Sequence, residues 1–126
     1  MTPCYRVWVE AFFEAAHNLR SYHGCPEPVH GHSWKVEVEA ETAELDAEGM
    51  ALDFGELRGA VGALTKRLDH TYLNDVAPFT DLTPSAENIA RWLHDELHLV
   101  VERLGGKMVE VRVWEGPHAS AAYRSR

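Results

Sequence analysis

Three histidines stand where two neighbouring strands can bring their rings together: His17, His30 and His32. His30 and His32 are two residues apart, so in an extended segment both rings point to the same side. Neutral imidazole is the commonest metal ligand. Three imidazoles without a fourth protein ligand make a catalytic zinc site, which keeps one position open for water or substrate. The pattern predicts such a site, and the alternative is that His-Gly-His is an incidental polar turn, as isolated short motifs can be.

The parity of the flanking residues favours the zinc site. Residues 34–41 alternate strictly between apolar and charged side chains, and His30 and His32 share the even parity of the apolar ones. His17 shares the odd parity of the apolar positions Val9 and Phe13 in an earlier strand-like segment. Alternation of this kind is typical of a strand with one buried face. If neither strand has a bulge, all three rings project inward from neighbouring strand ends.

The elements that must hold these histidines follow from periodicity and turn residues. A strand begins at Tyr5, residues 20–29 with their glycine and prolines form a loop, and residues 50–52 return along the second strand. Asp53 with Glu56 marks a capping box before one helix, and Thr83 before Pro84 marks the N-cap of another. Two more strands follow, over 109–114 and 119–123. This order predicts a single α+β domain over residues 1–126, a four-stranded antiparallel sheet with both helices on one face.

Two other groups of polar residues depend on their place in this pattern. Glu115 continues the apolar parity of Val111 and Val113, where an unpaired carboxylate is costly. The alternative is a frayed strand end with Glu115 in water. His94 and His98 are four apart on the second helix, beside acidic residues, and we expect a solvated or boundary position for them.

The composition excludes several classes of function. The formal net charge is -8, which disfavours nucleic acids and anionic membranes as partners but leaves room for one anionic small molecule at a metal site. The apolar runs are far shorter than a membrane span, and the first residues lack the features of a signal peptide, so we expect a cytoplasmic protein. Cys4 and Cys25 are poor disulfide candidates in that compartment.

At this point the chain resembles a known family, the 6-pyruvoyl-tetrahydropterin synthases and the bacterial 6-carboxytetrahydropterin synthases of queuosine biosynthesis. The motifs that carry the resemblance run in order along the chain: Phe13-Glu14-Ala15-Ala16-His17, Cys25 before His30-Gly31-His32-Ser33, Leu52-Asp53-Phe54, Leu68-Asp69-His70, Leu73-Asn74, Pro84-Ser85-Ala86-Glu87-Asn88 and Val113-Trp114-Glu115. The resemblance implies a T-fold (tunnelling fold) whose sheets join into an oligomeric barrel. It also implies a homohexamer, built as a dimer of trimers, with active sites between subunits.

The resemblance also implies roles for individual residues. His17, His30 and His32 match the ligands of Zn²⁺, and Cys25 matches the catalytic thiol, with Asp69 and His70 as its acid–base relay. Glu115 matches the anchor of the pterin ring, and Ser85 and Glu27 are further candidates for substrate binding. The implied substrate is 7,8-dihydroneopterin triphosphate, and we expect Arg20, Lys35 or Arg124 to meet its phosphates.

The reaction product is less constrained by the motifs. Four residues separate Cys25 from His30, between the three typical of the queuosine branch and the five of the biopterin branch. Glu27 stands three before His30, as in a branch where glutamate replaces the cysteine. We expect the 6-carboxytetrahydropterin product, by analogy with short bacterial enzymes. The alternatives are the pyruvoyl product, an aldolase-like cleavage, or a non-catalytic pterin-binding assembly organised by zinc.

Overall fold

Two long strands and two helices dominate the computed structural model, which describes residues 4–125. The strands and helices, in chain order, are β1 (Tyr5–His17), β2 (His30–Thr42), α1 (Phe54–Leu68), β3 (Thr71–Tyr72), α2 (Ala86–Arg103), β4 (Lys107–Glu115) and β5 (Ser120–Tyr123). A 3-10 turn over Leu73–Asp75 follows β3. The sheet has the order β3-β1-β2-β4-β5, so the predicted four strands are present and a short fifth strand, β3, pairs parallel with β1.

The alternation of side chains predicted for β1 and β2 is confirmed. The two strands pair antiparallel without a bulge from Tyr5↔Thr42 to His17↔His30. The core face carries Phe13 stacked on the fully buried Trp34, with ring centroids 5.6 Å apart. Both helices pack on this face, α1 against β1 and α2 against β4 and β5. A sheet that is apolar on one face has to be covered in this way.

The start of α1 is as predicted, and the start of α2 is not. The Asp53 side chain accepts a hydrogen bond from the Glu56 N–H, as an N-cap does. For α2, Thr83 is the wrong cap: Ser85 is the N-cap, and its Oγ accepts from the Asn88 N–H. In a helix that began at Pro84, the carbonyl of Pro84 would accept that N–H. Here it accepts from a histidine ring instead, so the helix begins later.

Three further expectations differ from the structure. Residues 50–52 form bends and not a return strand. A bulge in the β2–β4 pairing brings Met108, in place of Val109, opposite Ala40 and onto the core. His94 is 5% exposed, not at a solvated position, because β5 lies against α2 and puts the Tyr123 ring over it at 4.8 Å.

Candidate metal centre and active site

Four side chains meet where β1, β2 and β4 come together at one end of the sheet: His17, His30, His32 and Glu115. One donor atom from each lies within 4.8 Å of all the others. His17 ends β1 opposite the first residue of β2, His30, and their Nε2 atoms are 3.1 Å apart. Glu115 ends β4 opposite Trp34, two residues beyond His32. Strand register therefore produces the cluster, since residues of one parity on paired strands share a face.

Backbone carbonyls hold two of the imidazoles with their Nε2 atoms facing the cluster. His17 Nδ1 donates to the carbonyl oxygen of Pro84 at 2.8 Å, and His30 Nδ1 donates to that of Pro28 at 2.9 Å. A ring that donates from Nδ1 and is neutral carries its free lone pair on Nε2. Outer hydrogen bonds of this kind fix the tautomer and orientation of metal-binding histidines.

The third imidazole carries a buried nitrogen without a partner. His32 Nε2 is buried and makes no hydrogen bond within residues 4–125, although Glu115 Oε1 lies 3.1 Å away. Buried polar atoms are nearly always hydrogen-bonded, so an exception calls for a ligand or ion. Three imidazole nitrogens suit a borderline-soft divalent cation such as Zn²⁺, and three protein donors leave a fourth position open. The residues present therefore fit the metal that the resemblance implies.

The electrostatics of the cluster favour neutral imidazole and an added cation. Burial lowers the pKa of His17 below its ordinary value, against the opposing effects of the Pro84 hydrogen bond and the Glu115 charge. Only neutral imidazole can donate its lone pair to a metal. The Glu115 carboxylate also lies 3.6 Å from His17 Nε2, so two facing lone pairs and a negative charge converge on one point. A divalent cation at this point would relieve that repulsion.

Glu115 lies against the three histidines rather than apart from them. Its side chain is 33% exposed, so the carboxylate reaches the cluster from the solvent side. Strand parity predicts a place on the buried face for Glu115, and the family resemblance implies contact with the pterin ring. Its approach to His32 depends on the β2–β4 register, which strand parity alone does not give.

Glu27 also reaches this end of the sheet. Its Oε1 accepts a hydrogen bond from the Leu19 N–H at 2.8 Å and lies 3.9 Å from His30 Nε2. Its backbone N–H donates to the carbonyl of Leu19, which closes the loop between β1 and β2 on itself. Within the described residues, Glu27 makes a polar contact with a cluster histidine, whereas Cys25, the other acid–base candidate on this loop, makes none.

Cys25 is exposed on the same loop, in a tight reverse turn. Its backbone exchanges two hydrogen bonds with Tyr22, of 2.6 and 3.2 Å. Within the described part of the chain, no hydrogen bond or ion pair joins Cys25 to Asp69 or His70. The structure therefore does not bring the three predicted catalytic residues together within one chain.

Asp69 and His70 themselves form a pair directly after α1. Asp69 Oδ2 lies 3.0 Å from His70 Nδ1, and Asp69 Oδ1 accepts the Glu14 N–H at 2.8 Å. That backbone hydrogen bond, followed by the effects of His70, lowers the pKa of Asp69. His70 has a φ of 57°, an uncommon backbone conformation outside glycine. Its side chain is 79% exposed and lines a shallow groove with His32 and Ser33.

The remaining substrate-binding candidates already make contacts within the chain. The Ser85 hydroxyl caps α2. The three predicted phosphate contacts are engaged as well: Arg20 binds the carbonyl of Phe79 at 2.6 Å, Lys35 lies 3.5 Å from Glu10, and Arg124 lies 2.9 Å from Glu110. No helix among the described residues is long and apolar enough to cross a membrane.

The comparison with protein families decides the family. The model of the family described as 6-pyruvoyl tetrahydropterin synthase matches residues 6–126. The chain belongs to the 6-pyruvoyl tetrahydropterin synthase family. Its relatives are enzymes that act on pterins, and the two helices on an antiparallel sheet are the T-fold of this family.

Individual relatives carry two different names. The chain is 35% identical over 96 residues to the 6-carboxy-5,6,7,8-tetrahydropterin synthase of Synechocystis sp., covering 72% of this chain and 73% of the relative. It is 32% identical over 117 residues to the human 6-pyruvoyl tetrahydrobiopterin synthase, covering 90% and 79%. The 6-pyruvoyl tetrahydropterin synthase structure of Caenorhabditis elegans superposes with a TM-score of 0.82 at 22% identity, over 99% and 98% of the two chains.

Proposed function

We propose that the protein is a zinc-dependent 6-carboxy-5,6,7,8-tetrahydropterin synthase, which converts 7,8-dihydroneopterin triphosphate and water to 6-carboxytetrahydropterin, acetaldehyde and triphosphate. The observation that carries the proposal is the convergence of three histidines, with the buried His32 Nε2 making no hydrogen bond among the described residues. The Synechocystis and Bacillus subtilis relatives, at 35% and 31% identity, have this activity in their names. The pathway served would be that of queuosine, in the cytoplasm.

His17, His30 and His32 would hold the zinc. When bound, the metal supplies a Lewis acid that acidifies the hydroxyl groups of the substrate side chain and the adjoining C–H. The hydrogen bonds from His17 to Pro84 and from His30 to Pro28 keep the donor nitrogens aimed at one point before metal arrives. Such preorganisation avoids a reorganisation cost at the moment of reaction.

A residue on the loop between β1 and β2 would move the proton. Cys25 is the residue that matches the family's catalytic thiol, and a thiol with an ordinary pKa near 8.5 needs a partner to act as a base at neutral pH. His70, held by Asp69 at 3.0 Å, would be that partner in the manner of a His–Asp pair. Glu115 would pair with the N–H donors of the pterin and Ser85 would line the pterin site.

Assembly would bring Cys25 and the Asp69–His70 pair together. We extend the proposal to a homohexamer, a dimer of trimers with each active site between subunits. The exposed sheet face supports an assembled state, since Trp8 is 61% and Phe12 67% exposed there. Large exposed apolar side chains and free sheet edges are usually covered by a partner.

A second candidate is supported by Glu27. Its carboxylate lies 3.9 Å from His30 Nε2, whereas no hydrogen bond or ion pair among the described residues joins Cys25 to a cluster histidine. Two structures of the Plasmodium vivax 6-pyruvoyltetrahydropterin synthase, at 22% identity, carry substitutions of a glutamate described as a catalytic residue. With Glu27 as the base, the same pterin would undergo an aldolase-like cleavage of its side chain. The name of the human relative supports the pyruvoyl product as a third candidate.

Incubation of the zinc-loaded protein with 7,8-dihydroneopterin triphosphate, with products resolved by mass, separates these outcomes. Acetaldehyde with free triphosphate indicates the carboxy product. Glycolaldehyde that still carries the triphosphate indicates the aldolase-like cleavage, and the pyruvoyl pterin indicates the biopterin-type reaction. Cys25→Ala and Glu27→Gln report which residue moves the proton, and Cys4→Ala is the matched control for loss of an exposed thiol. Pterin binding without turnover by the wild type would leave the zinc-organised, non-catalytic assembly as the function.

A further inference from the structure

The side chain of Asn74 extends the β1–β3 pairing beyond the last residue of β1. The register places Tyr72 opposite Ala16, so Asn74 stands opposite Asn18, the residue after His17. The chain turns into a 3-10 helix at this point, and the amide of Asn74 replaces the backbone as partner. Its Oδ1 accepts the Asn18 N–H at 3.1 Å, and its Nδ2 donates to the Asn18 carbonyl at 2.9 Å. Asn74 is 8% exposed, so both hydrogen bonds are shielded from water.

The side chain of Asn18 then connects this pairing to the loop that carries Glu27. Asn18 Oδ1 accepts from the Tyr72 hydroxyl at 2.5 Å, and Asn18 Nδ2 donates to the carbonyl of Glu27 at 3.1 Å. The Oδ1 and Nδ2 atoms of Asn18 and Asn74 therefore each make a hydrogen bond. A network of this kind favours one geometry, because a displacement of either segment breaks several of its hydrogen bonds.

A second connection links the same two segments. Arg20 Nη2 donates to the carbonyl of Phe79 at 2.6 Å, to that of Thr80 at 3.1 Å and to that of Asn74 at 3.3 Å. The loop between β1 and β2 is thus attached at Asn18 and Arg20 to the segment that follows β3. Its other end is fixed by the pairing of His30 with His17.

We propose that Asn18, Tyr72 and Asn74 are positioning residues that hold the loop over residues 19–29, and with it the Glu27 carboxylate, beside the histidine cluster. The expected effect on catalysis rests on the proposed function, whereas the positioning of the loop does not depend on it. Within the described residues, no side chain of the network hydrogen-bonds a cluster histidine or Cys25, so we expect it to act through Glu27 and the loop backbone. A displacement of about 1 Å in a reacting group lowers a rate by about 100-fold, which is the scale of effect at stake.

Two variants separate positioning from general stability. Asn74→Asp keeps the acceptor for the Asn18 N–H but sets an oxygen against the Asn18 carbonyl, and Tyr72→Phe removes one hydroxyl with little change of shape. Tyr5→Phe is the matched control, on an exposed tyrosine at the far end of β1. Hydrogen exchange followed by mass spectrometry, zinc content, and kcat and KM for the pterin are measured on the assembled, zinc-loaded protein.

The expected result is local. Exchange of amides in residues 18–29 speeds up by about tenfold in Tyr72→Phe and more in Asn74→Asp, while β2 and β4 amides keep their protection. Zinc stays at the wild-type content, and kcat falls by about tenfold or more with KM within about threefold. Unchanged exchange in residues 18–29 in both variants overturns the proposal, and so does a rise spread evenly over the sheet. If the wild type turns nothing over, the proposed function fails while the exchange result still decides the positioning.

Discussion

Zinc should stabilise the folded protein strongly, because the site is preformed in the fold and absent from the unfolded chain. Without a cation, the His17 and His30 Nε2 lone pairs face each other at 3.1 Å, and the Glu115 carboxylate lies 3.1 Å from His32. A ligand that binds only the folded state stabilises it by about 2.7 kcal/mol at 100 times its dissociation constant. For a domain of this size that is a rise in Tm of about 10 °C.

The assay is calorimetry on protein stripped with a chelator, at fixed protein concentration and pH 7.5, with zinc added in steps. The wild type should show the shift, and His32→Ala should lose most of it because it removes one of the three nitrogen donors of the cluster. His98→Ala is the matched control, since that ring lies on α2 with its Nδ1 on the carbonyl of Asp95. A wild type whose Tm ignores zinc, or a His32→Ala protein that shifts as much as the wild type, would refute the assignment of the cluster as a metal site.

Three further substitutions test individual residues. Glu115→Gln should raise KM for the pterin by about 10- to 100-fold, the value of a charged hydrogen bond, with zinc content unchanged; loss of zinc by elemental analysis would instead make Glu115 a ligand. Asp69→Asn should lower kcat by about 100-fold through His70, with the exposed Asp75→Asn as its control. Because the folded-state pKa of Asp69 is lowered, its contribution to stability is present above its unfolded pKa and is lost as pH falls through the folded value. Acid unfolding of Asp69→Asn below about pH 4 should therefore be shallower than that of the wild type, and equal slopes would contradict this. Ser85→Ala should lower the free energy of unfolding in urea by about 1 kcal/mol because α2 loses its cap, and Ser85→Asp should be close to the wild type. Unchanged stability with a raised KM would instead indicate that the Ser85 hydroxyl acts in substrate binding and not as a cap.

Much of the fold follows from short-range patterns. Strict alternation over 34–41 can only be a strand with one buried face, and the same parity carries His30 and His32 to that face. Asp53 and Glu56 mark the start of α1 because an aspartate before an apolar period satisfies free N–H groups there. The start of α2 could not be predicted in this way, since Thr83 and Ser85 are both good caps. The hydrogen bond from the His17 ring to the carbonyl of Pro84, 67 residues apart along the chain, decides that Ser85 is the cap.

The candidate site, too, could be predicted from the sequence only in part. The sequence by itself determined that three histidines lie on buried strand faces, because side-chain direction in a strand depends only on parity. Only the tertiary structure decided that Glu115 meets His32, that Pro84 holds His17, and that Cys25 stands away from Asp69 and His70. Those relations depend on strand register and on the path of loops, which are set by packing between distant segments. His94 is a further case in which the tertiary structure decided. Its place on the helix predicts a solvated or boundary position, but β5 pairs with β4 where it covers α2, so His94 is buried.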